Sequence, residues 1–141
     1  MKELAYKNGK YLLIFMVVLL SALSCDKIDS QVPDVPVSLT VNLDIVNELT
    51  VPGNSVFFQG YGFGGVIVYC EIEGSYYAYD AACTNELNRS CRAIPNGLTA
   101  TCECCESQFI LIGGYPSKGQ ASAPLKQYKT SLYGNTLRVY N

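Results

Sequence analysis

The alternation of apolar and polar residues predicts an all-β domain that begins at residue 37. In residues 37–45, VSLTVNLDI, every odd position is apolar and every even position is polar, which is the period of a half-buried strand. Further strands are expected at residues 56–58, 66–72, 76–82, 98–103, 107–112, 125–132 and 136–141. Glycine-containing turns at residues 73–75 and 133–135 predict two hairpins. Because this part of the sequence lacks a 3.6-residue period, we expect a small antiparallel β-sandwich or barrel.

The first 24 residues have the layout of a secretory signal peptide. Three lysines precede an apolar run at residues 11–20, and small residues at 21–24 lead to Cys25. This run is shorter than the roughly 20 apolar residues that span a bilayer. The sequence SALS followed by cysteine resembles the lipobox of bacterial lipoproteins. That resemblance implies cleavage before Cys25 and acylation of its thiol and its new amino group.

The lipobox resemblance divides the chain into three parts. They are a signal peptide at residues 1–24, a lipid-anchored tether with two prolines at residues 25–36, and one domain at residues 37–141. It implies an exported protein that Cys25 anchors to a bacterial cell membrane, at the periplasmic face or the cell surface. Export places the domain in an oxidising compartment, where disulfides form and persist.

Composition argues against two classes of function. Residues 1–24 carry three lysines and one glutamate, so the remaining chain has 7 basic and 11 acidic residues and a net charge of −4. Since no basic stripe remains, we expect no nucleic-acid partner. The chain contains no histidine, so neither a Ser-His-Asp nor a Cys-His arrangement is available. We therefore expect no catalytic residues and no catalysis by the domain alone.

A glycine-rich segment at residues 60–65, GYGFGG, matches the G-x-G-x-x-G pattern of dinucleotide-binding sites. Such a site requires a helix directly after the motif, because the helix N-terminus meets the pyrophosphate. Here the following residues, VIVYCEI, have the composition of a strand. The segment is therefore interpreted as a turn between two strands.

Six cysteines follow Cys25. All except Cys70 lie in two predicted loops, at residues 82–91 and 101–107, and Cys70 within its strand is interpreted as a small buried apolar residue. The loops resemble those of the Rieske [2Fe–2S] family, which carry Cys-x-His and Cys-x-x-His. Cys83-Thr84-Asn85 stands at the first motif and CECCESQF, at residues 102–109, stands at the second. Paired glycines at 113–114 and a Pro-Leu pair at 124–125 follow in the family's order.

The resemblance implies a Rieske-like fold with both cysteine-bearing loops at one tip. Carried over position by position, the two cysteine ligands fall on Cys83 and Cys102, and the two histidine ligands fall on Asn85 and Cys105. In the family, two cysteines bind one iron and two histidines bind the other. Because the chain contains no histidine, that ligand set is incomplete here.

Two further features follow from the same resemblance. Some family members have a disulfide that joins the two loops. In this chain Cys104 stands at the second-loop position, and Cys91 lies three residues after the first-loop position, which is Asn88. Ser107 and Tyr115 resemble positions at which the family donates hydrogen bonds to the cluster.

Three interpretations of the cysteines are open. In the first, Cys83, Cys102 and Cys105 hold an iron–sulfur cluster with Asn85, Cys91 or an outside group as the fourth ligand. Thiolate in place of imidazole lowers the reduction potential of the cluster. Rieske centres have potentials of about −150 to +300 mV, whereas plant-type clusters with four cysteines have about −400 mV. In the second, the same thiols hold a structural zinc, which a nearby glutamate completes. In the third, the cysteines form only disulfides.

Two functions are therefore expected as alternatives. The first is a lipid-anchored electron carrier that has a cysteine-dominated [2Fe–2S] site and a redox partner protein. The second is a cluster-free structural or binding lipoprotein, whose loop cysteines form disulfides or hold zinc.

Overall fold

A computed structural model of the protein describes residues 31–141, and it is built almost entirely of strands. Ten strands follow one another along the chain, with one 3-10 turn at Asn47–Thr50. The strands are β1 (Ser38–Asn42), β2 (Ser55–Phe58), β3 (Val66–Ile72), β4 (Ser75–Asp80), β5 (Ala93–Asn96), β6 (Thr99–Cys102), β7 (Gln108–Ile110), β8 (Pro116–Lys118), β9 (Gln127–Tyr133) and β10 (Thr136–Tyr140). The predicted all-β fold is confirmed. Within the described range, no helix has the length and apolar character needed to cross a bilayer.

The strands form two antiparallel sheets. The larger has six strands in the order β1-β10-β9-β4-β3-β2, and the smaller has four in the order β5-β6-β7-β8. In the larger sheet β1 pairs with β10, so that Leu39 lies opposite Val139 and Val41 lies opposite Leu137. All four side chains are buried, whereas the residues between them are exposed. The alternating pattern therefore turns one face of these strands toward the core.

Two apolar clusters fill the interior. One packs β1 and β10 against β3 and includes Leu49 of the 3-10 turn. The other lies between the central strands of the larger sheet and the smaller sheet, and it contains Ile67, Tyr79, Phe109 and Leu111. The buried Tyr79 hydroxyl donates a hydrogen bond of 3.0 Å to the carbonyl of Leu111. This bond gives the buried hydroxyl a partner and connects β4 to the residue that follows β7.

The first strand ends three residues earlier than predicted. The Asn42 side-chain oxygen accepts the Asp44 amide at 2.9 Å, and the Asn42 carbonyl accepts the Val46 amide at 2.9 Å. These bonds form a turn, because asparagine side chains readily capture the backbone two residues on. As a result Ile45, predicted to face the core, is 77% exposed.

The segment at residues 60–65 is a turn between β2 and β3, in agreement with its interpretation. Strand β3 follows it directly, and no helix begins there. A dinucleotide site of the helix-opening type is therefore absent from this motif.

The predicted tether is described only from residue 31 onward. The Lys126 ammonium donates hydrogen bonds to the Pro33 carbonyl at 3.1 Å and to the Asp34 carboxylate at 2.7 Å. The Asn141 amide donates to Asp34 at 2.9 Å and to the Val35 carbonyl at 3.1 Å. This end of the predicted tether therefore contacts the domain. The predicted signal peptide and Cys25 lie outside the described residues.

Candidate metal centre

The first cysteine-bearing loop leaves the larger sheet after β4. Ala82 forms a bridge with Arg92, and the Cys83 amide donates to the Cys91 carbonyl at 3.0 Å. Residues 83–91 therefore form a loop whose two ends are fixed side by side. Cys83 is fully buried at the start of the loop, and Cys91 is buried at its end.

The second loop is a tight turn between β6 and β7. The Cys102 amide donates to the Ser107 carbonyl at 2.8 Å, and the Glu106 amide donates to the Cys102 carbonyl at 3.1 Å. Glu106 has φ of 56°, and it is the one residue other than glycine with positive φ among those described. Residues with a β-carbon adopt this left-handed conformation at a cost, so the closing bonds of the turn must offset it.

The structure joins the two loops in two ways. The Glu103 amide donates to the Arg92 carbonyl at 2.9 Å. A disulfide links Cys91 to Cys104, with Cα atoms 5.4 Å apart, and this is the pairing that the Rieske resemblance implies. It is the sole disulfide among residues 31–141, where four cysteines are free, so the all-disulfide interpretation does not describe this structure.

Three free thiols converge between the joined loops. Cys83 from the first loop meets Cys102 and Cys105 from the second, and their sulfur atoms lie within 4.8 Å of one another. The Cys83 and Cys105 sulfur atoms are 3.4 Å apart. We call these three residues the thiol triad. Cys83 and Cys102 are fully buried, and Cys105 is half-buried.

The spacing of the thiol triad fits metal ligation. With a zinc–sulfur distance of about 2.3 Å and tetrahedral angles, ligand sulfurs lie roughly 3.8 Å apart. The 3.4 Å between Cys83 and Cys105, with all three sulfurs within 4.8 Å of one another, is compatible with that value. Thiolates are the preferred ligands of zinc and of iron–sulfur clusters, so the donor set suits either centre.

The triad supplies three ligands, and a fourth must come from another group. Asn85 is exposed two residues beyond Cys83. The Glu86 carboxylate lies 3.4 Å from the Cys91 sulfur, and together with Cys104 these residues form a second acidic and sulfur-containing group. The sulfurs of that group belong to the disulfide and cannot become thiolates, so the group is a weak metal site.

Ser107 is the buried neighbour of the triad. Its hydroxyl oxygen accepts the amides of Gln120 and Ala121 at 3.1 and 3.0 Å. It also lies 3.2 Å from the Cys105 sulfur. Because both amides use the oxygen as an acceptor, the hydroxyl proton is free to donate to a Cys105 thiolate. Gly119 makes this arrangement feasible, since a β-carbon there would stand 2.6 Å from the Ser107 hydroxyl oxygen.

The triad thiols differ in acidity. Burial, followed by the hydrogen bond with Cys102, raises the pKa of Cys83 to about 12. Burial also acts to raise the pKa of Cys105, but hydrogen bonds from Ser107 and from the other two thiols outweigh it and lower the pKa to about 7. Without a metal, Cys105 therefore ionises before Cys83.

A buried carboxylate fixes the start of the first loop. Asp80 is fully buried, and it accepts the amides of Phe63, Gly64 and Ala82 at 2.6, 2.9 and 2.9 Å. It also accepts the Tyr128 hydroxyl at 2.7 Å. Burial, followed by this bond, raises the pKa of Tyr128. Four donors compensate for burying this carboxyl group, and one of them, the Ala82 amide, lies immediately before Cys83.

The solved structures that are similar to this chain include two ferredoxin structures. One, described as a complex of reduced oxygenase and oxidized ferredoxin in carbazole 1,9a-dioxygenase, has a matching chain with a TM-score of 0.52 and 18% identity, covering 74% of this chain and 93% of that one. The second, a ferredoxin of carbazole 1,9a-dioxygenase from Nocardioides aromaticivorans IC177, has a TM-score of 0.50 and 21% identity, covering 75% and 97%. The domain has a Rieske-like fold.

The Rieske-like fold confirms the predicted architecture, including two joined loops that each contribute cysteines. No protein-family model matches the chain, and no curated protein sequence is similar to it. At 18% and 21% identity, the two structures establish the fold alone.

The structure adds two residues that the sequence analysis did not single out. Asp80 anchors the turn before Cys83, and Gly119 gives Ser107 its room. The sequence signal for Asp80 was a lone carboxylate within the apolar run YYAYDAA, since a charge in a buried strand is almost always compensated. Cys70, by contrast, is fully buried in β3 outside the triad, as predicted.

Proposed function

We propose that the domain is an electron carrier in which Cys83, Cys102 and Cys105 hold an iron–sulfur cluster. The observation that supports this proposal is the convergence of three reduced thiols between two loops of a Rieske-like fold. Disulfide formation is the usual fate of exported cysteines, yet the single bridge lies beside the triad and joins the loops that carry it. The arrangement leaves the thiols free for ligation.

The residues present fit a [2Fe–2S] cluster in part. Cys83 and Cys102 take the family's cysteine positions, Cys105 takes a histidine position, and Asn85 or an outside group supplies the fourth ligand. The cluster, when bound, would accept and donate one electron. The protein's own contribution is to bury two of its ligands and to direct the Ser107 hydroxyl at the third. A hydrogen bond to a ligand sulfur raises the reduction potential, in opposition to the added thiolate charge.

The proposed route for the electron is through Cys105. This residue is half-buried, whereas Cys83 and Cys102 are 0% and 1% exposed. A partner docking over the second loop would therefore approach the centre most closely at Cys105. We propose a redox partner protein that docks there. One of the similar structures is a complex of an oxygenase with a ferredoxin.

A structural zinc is the second candidate. The sulfur spacing supports it, because three sulfurs within 4.8 Å match the ligands of one tetrahedral ion. In this case Glu86, Glu103, Glu106 or water completes the shell, and the domain is a structural or binding module. The lipid anchor at Cys25 and the export to a bacterial membrane are proposed for both candidates on the sequence of the first 25 residues.

The deciding experiment compares the wild-type protein with single serine variants after anaerobic purification from iron-supplied cells. The electron-carrier proposal predicts a coloured protein that contains iron and sulfide in equal amounts and bleaches reversibly on reduction. Cys105→Ser should lose or shift the visible absorption, whereas Cys70→Ser, outside the triad, should keep it. A colourless wild-type protein with bound zinc would select the structural candidate, and a metal-free colourless protein would refute both.

A further inference from the structure

A cleft beside the first cysteine loop is not used by the proposed electron carrier. It is lined by residues 59–65, the glycine-rich turn, together with Arg89 and Arg92. Its volume is about 200 Å³. At about 30 Å³ for each water in the liquid, it holds roughly seven waters. A ligand of this size is a small ion or metabolite, and a dinucleotide is far too large.

The two arginines are held in place at the wall of this cleft. The Arg89 guanidinium lies 5.0 Å from the centre of the Phe63 ring, and that of Arg92 lies 6.0 Å from the centre of the Phe57 ring. The Arg92 Nε also donates to the Arg89 carbonyl at 3.0 Å. The cation–π contacts restrict both side chains and the hydrogen bond restricts that of Arg92, so less rotamer freedom is lost when they bind a ligand.

Neither guanidinium has a carboxylate partner. Among residues 31–141 the sole ion pair joins Lys126 to Asp34. Arginine forks are usually matched by carboxylates or phosphates, which accept two parallel hydrogen bonds. Two adjacent guanidiniums without a carboxylate partner therefore leave the cleft with hydrogen-bond donors and positive charge.

The glycine-rich turn that lines the cleft is closely packed, and two of its amides are already occupied. A β-carbon at Gly64 would lie 2.5 Å from the Ala82 amide nitrogen, and one at Gly62 would lie 2.5 Å from an Asp80 carboxylate oxygen. The Phe63 and Gly64 amides donate to Asp80 and are unavailable to a ligand. In a phosphate-binding loop such amides cradle the anion. Here Arg89 and Arg92 are the charged donors among the residues that line the cleft.

We propose that the cleft formed by residues 59–65, Arg89 and Arg92 binds a small free oxyanion, a carboxylate or a phosphate. The two guanidiniums grip its oxygens, and the glycine-rich turn limits its size. The site lies beside the cysteine loops because Arg89 belongs to the first loop and Arg92 directly follows Cys91. This inference goes beyond electron transfer and does not depend on which metal the triad holds.

A competing explanation is that the arginines only offset the negative charge of a thiolate centre. It predicts that added anions do not saturate the protein and that neutralising the arginines changes metal retention alone. Calorimetric titration with inorganic phosphate and with succinate, at constant ionic strength set by chloride, separates the two explanations. The whole chain is used, with its native metal content.

We expect saturable binding of one phosphate or succinate per chain. Arg89→Gln with Arg92→Gln should weaken it at least about tenfold, because both forks are lost. Arg138→Gln, which removes an exposed arginine on β10, should leave the affinity within about twofold, since screening limits distant charges. Arg89→Lys with Arg92→Lys keeps the charge and the side-chain stems, and it should still weaken binding severalfold.

Three results would overturn the proposal. The first is titration heats that do not saturate in the wild-type protein. The second is an unchanged affinity for phosphate or succinate in the double glutamine variant or in the double lysine variant. The lysine variant retains the positive charges and is therefore expected to disturb folding less. The third is a loss in Arg138→Gln as large as that in the double glutamine variant, which would mark the binding as nonspecific charge attraction.

Discussion

Removing the Cys91–Cys104 disulfide should destabilise the domain by an amount that its loop length sets. The bridge closes a segment with a sequence separation of 13, and that segment runs from the last residue of the first loop through all of β5 and β6 to the start of the second loop. In the chain-entropy description, a cross-link over about 14 residues removes roughly 10 cal/mol/K from the unfolded ensemble. At 25 °C this corresponds to about 3 kcal/mol of stability.

This amount is a large fraction of a typical total. Small domains unfold with about 5 to 15 kcal/mol, so the variant should remain folded but clearly weakened. Cys91 is buried and Cys104 is exposed, so Cys91→Ala with Cys104→Ser suits the two environments. Because the same bridge joins the loops that carry the thiol triad, the variant should also bind the proposed metal less tightly.

Urea denaturation followed by circular dichroism measures the effect. We expect the midpoint to fall strongly in the double variant and only slightly in Cys70→Ala, which removes a cysteine that closes no loop. The slope should rise in the double variant, because its unfolded chain exposes more surface without the cross-link. A double variant within about 0.5 kcal/mol of wild type would refute the reasoning, since that is the range of neutral surface substitutions.

Three further predictions concern other parts of the domain. Asp80→Asn should lower the free energy of unfolding, measured by urea denaturation, by about 3 kcal/mol, because an amide group replaces one of its two acceptor oxygens. The control Asp44→Asn, at an exposed position, should change the free energy of unfolding little. The fold raises the pKa of Tyr128 above its unfolded value of 10.0, so the stability that its protonated form contributes is complete below pH 10 and is lost at higher pH. Thermal melting followed against pH should therefore show a less steep loss of stability in Tyr128→Phe than in the wild-type protein. In metal-free reduced protein, iodoacetamide should modify Cys105 before Cys83, and the rate of Cys105 modification should rise with pH with a midpoint near its pKa of about 7. Mass spectrometry of peptides taken early in the reaction identifies the modified residue, and modification of Cys83 first would contradict this prediction.

The larger sheet could be predicted because its strands carry their own pattern. The alternation that begins at residue 37 and the apolar run VIVYCEI each specify a strand, and β9 and β10 are joined by the turn that Gly134 and Asn135 form. In the smaller sheet, β5 (Ala93–Asn96) contains a proline and β8 (Pro116–Lys118) has three residues and begins with proline. Neither has an apolar alternation, so only pairing with their neighbours makes them strands.

The site was predictable to the extent that it depends on cysteine positions in two loops. The family resemblance pointed to Cys83, Cys102, Cys105 and Asn85, and the structure brings the three cysteine sulfurs together. What the sequence did not reveal were the supporting contacts, such as the two amides that hold Ser107 toward Cys105. Such contacts join residues distant along the chain, and no local pattern encodes them.

The account depends most on the thiol triad being a single metal-binding centre beside one disulfide. Native mass spectrometry of the wild-type protein, followed by peptide mapping of its thiols after unfolding, tests this claim directly. We expect a bound metal or iron–sulfur mass that disappears when Cys83, Cys102 and Cys105 are all changed to serine, and a bridge between Cys91 and Cys104 in both proteins. A wild-type protein that carries no metal and has a disulfide within the triad would contradict it.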